Sequence, residues 1–242
     1  MRITFFGSSH GVPEPNRRCS STLVEIGERK YLIDLGTNAI ELLVTRGIPV
    51  ESINTIFVTH MHGDHSNGLL PFIDLCNWYY KKADPDICLP TPMDKTVSAI
   101  EGWLGANGCK MREFKFHEIA NGFVWDDGTL KLTAIQTKHT AASFAFLLEA
   151  EGKRILMTGD LSHKGPEDDF PVSVFENPLD LAICESAHFP ATKYLPIFKG
   201  QENLRALCIT HYIPGNISSV YEVAKELGIP VTMSNDGKEI VL

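Results

Sequence analysis

Apolar residues in this chain come in short runs broken by glycine, proline and charge, a pattern of strands with few long helices. Arg2–Phe6 is stopped by Gly7, and Ser21–Ile26 and Lys30–Ile33 are separated by Gly27-Glu-Arg29, which predicts a strand and then a hairpin. The polar, Gly/Pro-rich segment 7–18 between them reads as a loop across the end of a sheet. Ala39–Thr45, followed by Gly47, predicts a short helix. Ser52–Val58 predicts the next strand. Leu69, Leu70, Phe72, Ile73, Leu75 and Cys76 then recur at helical spacing between Asn67 and Tyr80, and a second amphipathic stretch runs from Met93 to Leu104. Lys81–Pro92 separates the two stretches. The second half repeats the rhythm, with strands over 130–135, 143–149, 154–157, 181–184, 207–210 and 230–233. A helix over Ile217–Leu227 precedes a final edge strand, Lys238–Leu242.

Hairpin-connected runs open each half, where a wholly parallel sheet would need crossover helices. Two mixed sheets packed face to face, with helices outside, bury these runs better than one doubly wound sheet. The chain has 242 residues, 43% of them hydrophobic and 21% charged, which suits one domain over 1–242 with an internal half-boundary near 116–128. A formal net charge of -8 argues against an extended nucleic-acid interface, while leaving room for a small anionic substrate held by metal. The six cysteines are scattered without a CxxC pair, and the start lacks a long apolar stretch, so free thiols in a reducing cytoplasm are expected. No segment approaches the roughly 20 apolar residues that span a bilayer, so no membrane partner is expected.

His60-Met-His-Gly-Asp-His65 packs four potential metal ligands into six residues at the end of a strand. His60 and His62 can reach one ion, and Asp64 and His65, turning into the next helix, a neighbouring one. Imidazole and carboxylate are ligands zinc accepts, and they also suit manganese or iron. Three further candidates end strands: His139 after Ile135, Asp160 after Met157, and His211 after Leu207–Thr210. Each alone is ambiguous with a loop cap; together they suggest one shared edge.

Thr59-His60-Met-His-Gly-Asp-His65, then His139, Gly159-Asp160 and His211 in that order, resemble the metallo-β-lactamase superfamily. The resemblance spans nearly the whole chain and implies a four-layer αββα sandwich with a two-metal centre. It assigns His60, His62 and His139 to one zinc, Asp64, His65 and His211 to the other, and Asp160 to both. Phe6-Gly-Ser-Ser-His-Gly-Val-Pro13, Tyr31-Leu-Ile-Asp-Leu-Gly36 and Cys184-Glu-Ser-Ala-His-Phe189 resemble the RNase Z and related phosphodiesterase branch. By analogy with carboxylates that buttress metal-bound imidazoles, Asp34 orients the histidine cluster; its alternative is a strand-end turn cap.

The chain lacks the long insertion with which the processing enzyme grips transfer RNA, and it has His188-Phe-Pro-Ala191 where that branch carries a His-Ser-Thr block. Hydrolysis of a small or cyclic phosphodiester is therefore favoured over transfer-RNA processing. Two divalent ions would supply the hydroxide, Asp64 and Asp160 would orient it, and His188 supported by Glu185 would protonate the leaving group. Lactone or carboxylic ester hydrolysis, a nuclease on short RNA, and a non-enzymatic binding protein are the alternatives. His10 and His163 are candidate substrate contacts, and His117 is expected to do nothing catalytic. Trp78-Tyr79-Tyr80 is expected as a buried helical face or dimer contact, with a lid as the alternative. Arg17 and Arg18 are candidate phosphate contacts, with a solvated pair as the alternative, and a homodimer fits as well as a monomer.

Overall fold

Period-two alternation sorts the side chains of each strand between two apolar layers. A computed structural model describing residues 1–242 shows the sorting directly. Tyr31 and Ile33 join one buried cluster while Leu32 and Leu35 join another, and Phe57 is separated in the same way from Ile56 and Val58. In the second half Leu181 and Ile183 face the first cluster, and Ala182 and Cys184 a third. Strands buried on both faces need apolar residues at successive positions, which is why the runs read as continuous.

The strands are β1 (Arg2–Gly7), β2 (Ser21–Ile26), β3 (Arg29–Leu35), β4 (Ile53–Phe57), β5 (Asp86–Pro90), β6 (Lys115–Ile119) and β7 (Val124–Asp126). They continue as β8 (Lys131–Thr137), β9 (Ser143–Ala150), β10 (Lys153–Met157), β11 (Leu181–Ser186), β12 (Leu207–Tyr212), β13 (Val231–Met233) and β14 (Glu239–Val241). One seven-stranded sheet runs β14-β1-β2-β3-β4-β5-β6 and the other β13-β12-β11-β10-β9-β8-β7. Each has an antiparallel part, β14-β1-β2-β3 or β10-β9-β8-β7, extended by parallel strands. Helices α1 (Ala39–Thr45), α2 (Gly63–Ser66), α3 (Leu69–Trp78) and α4 (Met93–Ala106) go with the first sheet, and α5 (Leu195–Phe198) and α6 (Ile217–Leu227) with the second.

The three clusters define four layers. The first lies between the sheets, the second holds Leu42, Phe72, Ile100 and Leu104 of the helices over sheet one, and the third holds Ile197, Val220 and Val223 over sheet two. This is the αββα metallo-β-lactamase sandwich. The C-terminal ends of β3, β4, β8, β10, β11 and β12 all supply residues to one edge of it.

Three strands escape the sequence pattern. β5 is a short Ile-Cys-Leu run between prolines, and β6 alternates Lys-Phe-His-Glu-Ile at a sheet edge. β7 has only three residues. The chain passes from the first sheet to the second between β6 and β7. Trp78 and Tyr79 are 56% and 65% exposed, which corrects the expectation of a buried face: α3 ends there, and its buried side is Leu69, Phe72, Ile73 and Cys76. No helix is long and apolar enough to cross a membrane.

Candidate metal centre

Asp34, at the end of β3, organises the histidine loop that follows β4. Its Oδ1 accepts from the Thr59 amide at 2.8 Å, and its Oδ2 accepts from His65 Nδ1 at 2.7 Å. The Thr59 hydroxyl donates to the same carboxylate at 3.0 Å and accepts from His60 Nδ1 at 3.1 Å. Both rings thus spend their Nδ1 protons inward, and each Nε2 carries a free lone pair. Asp34 does this at φ 60 and His211 sits at φ 44, left-handed conformations that L side chains rarely adopt. The strain sits at the edge where the side chains converge.

Glycine sets the approach of α2. A Cβ on Gly36 would lie 1.7 Å from the Asp64 carbonyl oxygen, and one on Gly68 1.9 Å from that of Thr37. Backbone therefore packs on backbone between segment 35–37 and the turn bearing Asp64 and His65, and no side chain fits there.

Two ligand sets result. His60, His62 and His139 form one, and Asp64, His65, Asp160 and His211 the other, with donor atoms in each within 4.8 Å of one another. Asp160 faces both. Its Oδ2 lies 3.8 Å from His60 Nε2 and 3.6 Å from His139 Nε2, and its Oδ1 lies 3.3 Å from His65 Nε2 and 3.4 Å from His211 Nε2. Asp64 Oδ2 closes the second set at 3.4 Å from His65 Nε2 and 3.5 Å from His211 Nε2. Donors that share a tetrahedral ion at about 2.0–2.1 Å stand about 3.3–3.4 Å apart, so the edges of the second set match metal coordination, while those from Asp160 to His60 and His139 are longer. In the first set His62 Nδ1 is 3.0 Å from His139 Nε2.

The donor chemistry fits a cation. Buried His60 Nε2, His65 Nε2 and Asp160 Oδ1 have no hydrogen-bond partner in the protein. Buried acceptors facing one another are costly unless a positive charge lies between them. Titration reflects the same field. Burial pulls the His65 pKa down, but the charges of Asp160 and Asp34 prevail and raise it well above the ordinary histidine value. Burial would raise the Asp160 carboxyl, but His211 and His65 hold it well below the carboxylate range. His60 is lowered to about 2, first by burial and then by neighbouring His65. His139 is lowered to about 4, chiefly by burial. Asp64 is lowered to about 2, His65 and His211 outweighing its burial.

Around this core the other candidates take distinct places. Glu185 is 1% exposed and accepts from the amides of Leu161, Ala187 and His188 and from His188 Nδ1 at 2.7 Å. His188 Nε2 lies 3.9 Å from Asp160 Oδ2, so its ring overlooks the centre. Burial lowers its pKa, but the Glu185 hydrogen bond and charge reverse this, and the net direction is upward. His163 is exposed, its ring centroid 4.2 Å from that of His188. His10 Nε2 pairs with Glu14 at 2.9 Å, and the adjoining Gly11 borders the Asp64 carboxylate. Arg17 is a strap rather than a solvated charge: it reaches Glu14 and the Ser8 and Tyr212 carbonyls and lies over the Tyr212 ring. Arg18 pairs with Asp236. His117 bonds Asp86 at 2.7 Å across β5 and β6, away from the centre.

Two contributors went unnoticed in the sequence. Thr59 bridges Asp34 and His60; its place directly before the first histidine was the available signal. Asp169 accepts from the Lys138 and Ser162 amides at 2.7 Å each, tying the loop of His139 to that of His163. It stands in an ordinary acidic run that gave no such signal.

Residues 1–168 match the family model described as anti-Pycsar protein Apyc1. The chain belongs to the Apyc1 family. Membership agrees with the wider fit to the metallo-β-lactamase superfamily and its RNase Z-like branch. Ribonuclease Z of Thermosynechococcus vestitus is 30% identical over 159 residues, which is 64% of this chain and 38% of that protein. The matched segment covers 38%, 46% and 49% of three such ribonucleases, so it spans less than half the length of each. Among solved structures, the metallo-β-lactamase fold protein YhfI from Bacillus subtilis superposes with a TM-score of 0.80 at 17% identity, covering 99% of both chains. Human tRNase Z, short form, gives 0.76 at 18% identity, covering 100% of this chain and 99% of that one. At such identities the superpositions show that this Apyc1-family chain shares the fold.

Proposed function

We propose that this chain is a dinuclear metal hydrolase that cleaves a small or cyclic phosphodiester. The observation that carries the reading is Asp160, one carboxylate whose two oxygens face two separate histidine sets, each with a buried Nε2, of His60 or His65, that has no hydrogen-bond partner. Two divalent ions held there would polarise phosphoryl oxygens and lower the pKa of water toward neutrality. Zinc fits the donor types and spacings best; manganese and iron accept the same donors.

The protein's own groups divide the remaining work. Asp64 and Asp160, held ionised, orient the attacking water and accept its proton. His188, held by Glu185 with Nε2 toward the centre, donates a proton to the leaving oxygen. His10, next to the Gly11 that borders the Asp64 carboxylate, and His163, beside His188, would contact substrate, and Asp34 positions His65 and, through Thr59, His60.

Relatives named ribonuclease Z support phosphodiester chemistry, and the net charge of -8 supports a small substrate over a polymer. Six free cysteines support a reducing compartment such as the cytoplasm. The test is a substrate panel on metal-loaded protein, with Asp64→Ala as blank. It comprises bis-p-nitrophenyl phosphate, cyclic nucleotides, a cyclic ribose phosphate, a short RNA and an acyl lactone. Metal-dependent cleavage confined to the small phosphodiesters is expected. Lactone turnover with every phosphodiester intact would overturn the assignment.

A further inference from the structure

The proposed reaction uses the members of a third imidazole group singly, His139 as a ligand, His188 as an acid and His163 as a substrate contact, and gives the group as a unit no purpose. His139, His163 and His188 bring one donor atom each within 4.8 Å of one another. Their ring centroids are 4.2, 4.7 and 5.1 Å apart. Those of His60, His62 and His139 are 4.7, 4.8 and 4.9 Å apart. The outer trio is thus packed like the inner one.

A second observation concerns how His188 is held. Its Nδ1–H donates at 2.7 Å to Glu185, a carboxylate 1% exposed, as that of His65 donates at 2.7 Å to Asp34. Metal-binding imidazoles generally give their other N–H to a carboxylate, which fixes the ring and frees the far lone pair. His139 offers the shared corner. Its side chain is 1% exposed, and its Nδ1 is buried with no partner. With Nε2 given to the inner set, Nδ1 carries the ring proton, so an outer ion binding there releases that proton to solvent and leaves His139 as an imidazolate bridge. His163 completes the trio from solvent, on a loop tied to that of His139 through Asp169.

We propose that His139, His163 and His188 form an accessory site for a divalent transition-metal ion, zinc above all, at the rim of the dinuclear centre. Two imidazoles and the bridging imidazolate of His139 suit zinc and leave one coordination position to water. Without a carboxylate, and with one ligand exposed, this site binds more weakly than the two inner sets and fills only when zinc exceeds two per chain. Once filled, it holds the Nε2 lone pair of His188. Zinc and a proton cannot share that nitrogen, so excess zinc removes the acid from the leaving group and inhibits turnover. The inhibition rests on the function proposed above; the metal site does not.

The experiment starts from protein carrying two zinc ions per chain. Equilibrium dialysis against rising zinc, with elemental analysis, compares wild type with His163→Ala and His163→Asn. Wild type is expected to take a third, weaker equivalent. Both variants keep the first two and bind the third at least about 10-fold more weakly, the lower end of what losing support of a metal site costs. Phosphodiester turnover in wild type falls as the third equivalent binds, and the variants need correspondingly more zinc for the same fall. Saturation of wild type at two, or a third equivalent undiminished in both variants, overturns the proposal and marks any extra zinc as adventitious. A His163-dependent third equivalent in protein that cleaves no phosphodiester would sink the function while leaving this site standing.

Discussion

Asp160 is the residue on which most of the chemistry converges, since its two oxygens serve two ligand sets. Asp160→Asn is expected to reduce bound metal from two ions toward one and to lower kcat/KM by about 10³-fold, the scale of losing a preorganised charge at the transition state. Elemental analysis beside turnover checks it; two retained ions with full activity would contradict the assignment. Asp34 acts one step behind. Asp34→Ala strips acceptors from Thr59 and His65 and should weaken metal binding about 10–100-fold, read by competition with a chelator. His188 can be separated from the metals by leaving group. His188→Ala should slow an alkyl phosphodiester far more than a nitrophenyl one, because nitrophenolate needs no proton. The Glu185 hydrogen bond and charge outweigh burial and raise the His188 pKa above the ordinary histidine value, so the acid form persists to higher pH than in a free imidazole and is lost as pH rises past the raised value. The alkyl substrate should therefore show an alkaline limb that the nitrophenyl substrate lacks. Equal effects on both substrates would remove His188 from the acid role. The metal-facing histidines and aspartates were legible because only a few side chains ligate such ions, and they stood in a dense motif. Thr59 and Asp169 were not, because bridging a carboxylate to an imidazole, or tying two loop amides together, leaves no mark on residue type.

At the level of elements, placement of α2 decides whether Asp64 and His65 reach the centre. Gly36→Ala puts a methyl group into the Asp64 carbonyl. The helix must move or the loop unfold, at a cost of about 1–3 kcal/mol for overpacking, or on the order of 2–10 °C in Tm. Because the displaced turn carries two ligands, metal affinity should fall as well. A Tm drop with unchanged metal affinity would show that the strain relaxes elsewhere. Strands such as β3, β9 and β11 were legible from their apolar runs, since burial between two layers demands bulk at every position. β6 and β7 lie at sheet edges, with fewer buried positions to leave a pattern. The aromatic end of α3 misled because hydrophobic type does not reveal that a helix has already ended.

Across the whole molecule, the two sheets meet at one edge, and the centre joins residues from both. His60, His62, Asp64 and His65 follow β4 of the first sheet; His139, Asp160 and His211 come from the second. Metal binding should therefore stabilise the packing of one sheet on the other. Free metal at about 100 times its Kd adds about 2.7 kcal/mol, so chelation should lower Tm by on the order of 5–10 °C. Calorimetry with and without chelator reads this, and an unchanged Tm would mean that the centre does not couple the sheets. The most direct measurement is anomalous diffraction at the zinc edge from crystals loaded with two equivalents. The account predicts two peaks, about 3.5–4 Å apart, one on each side of the Asp160 carboxylate. A single peak, or peaks away from Asp160, would contradict it.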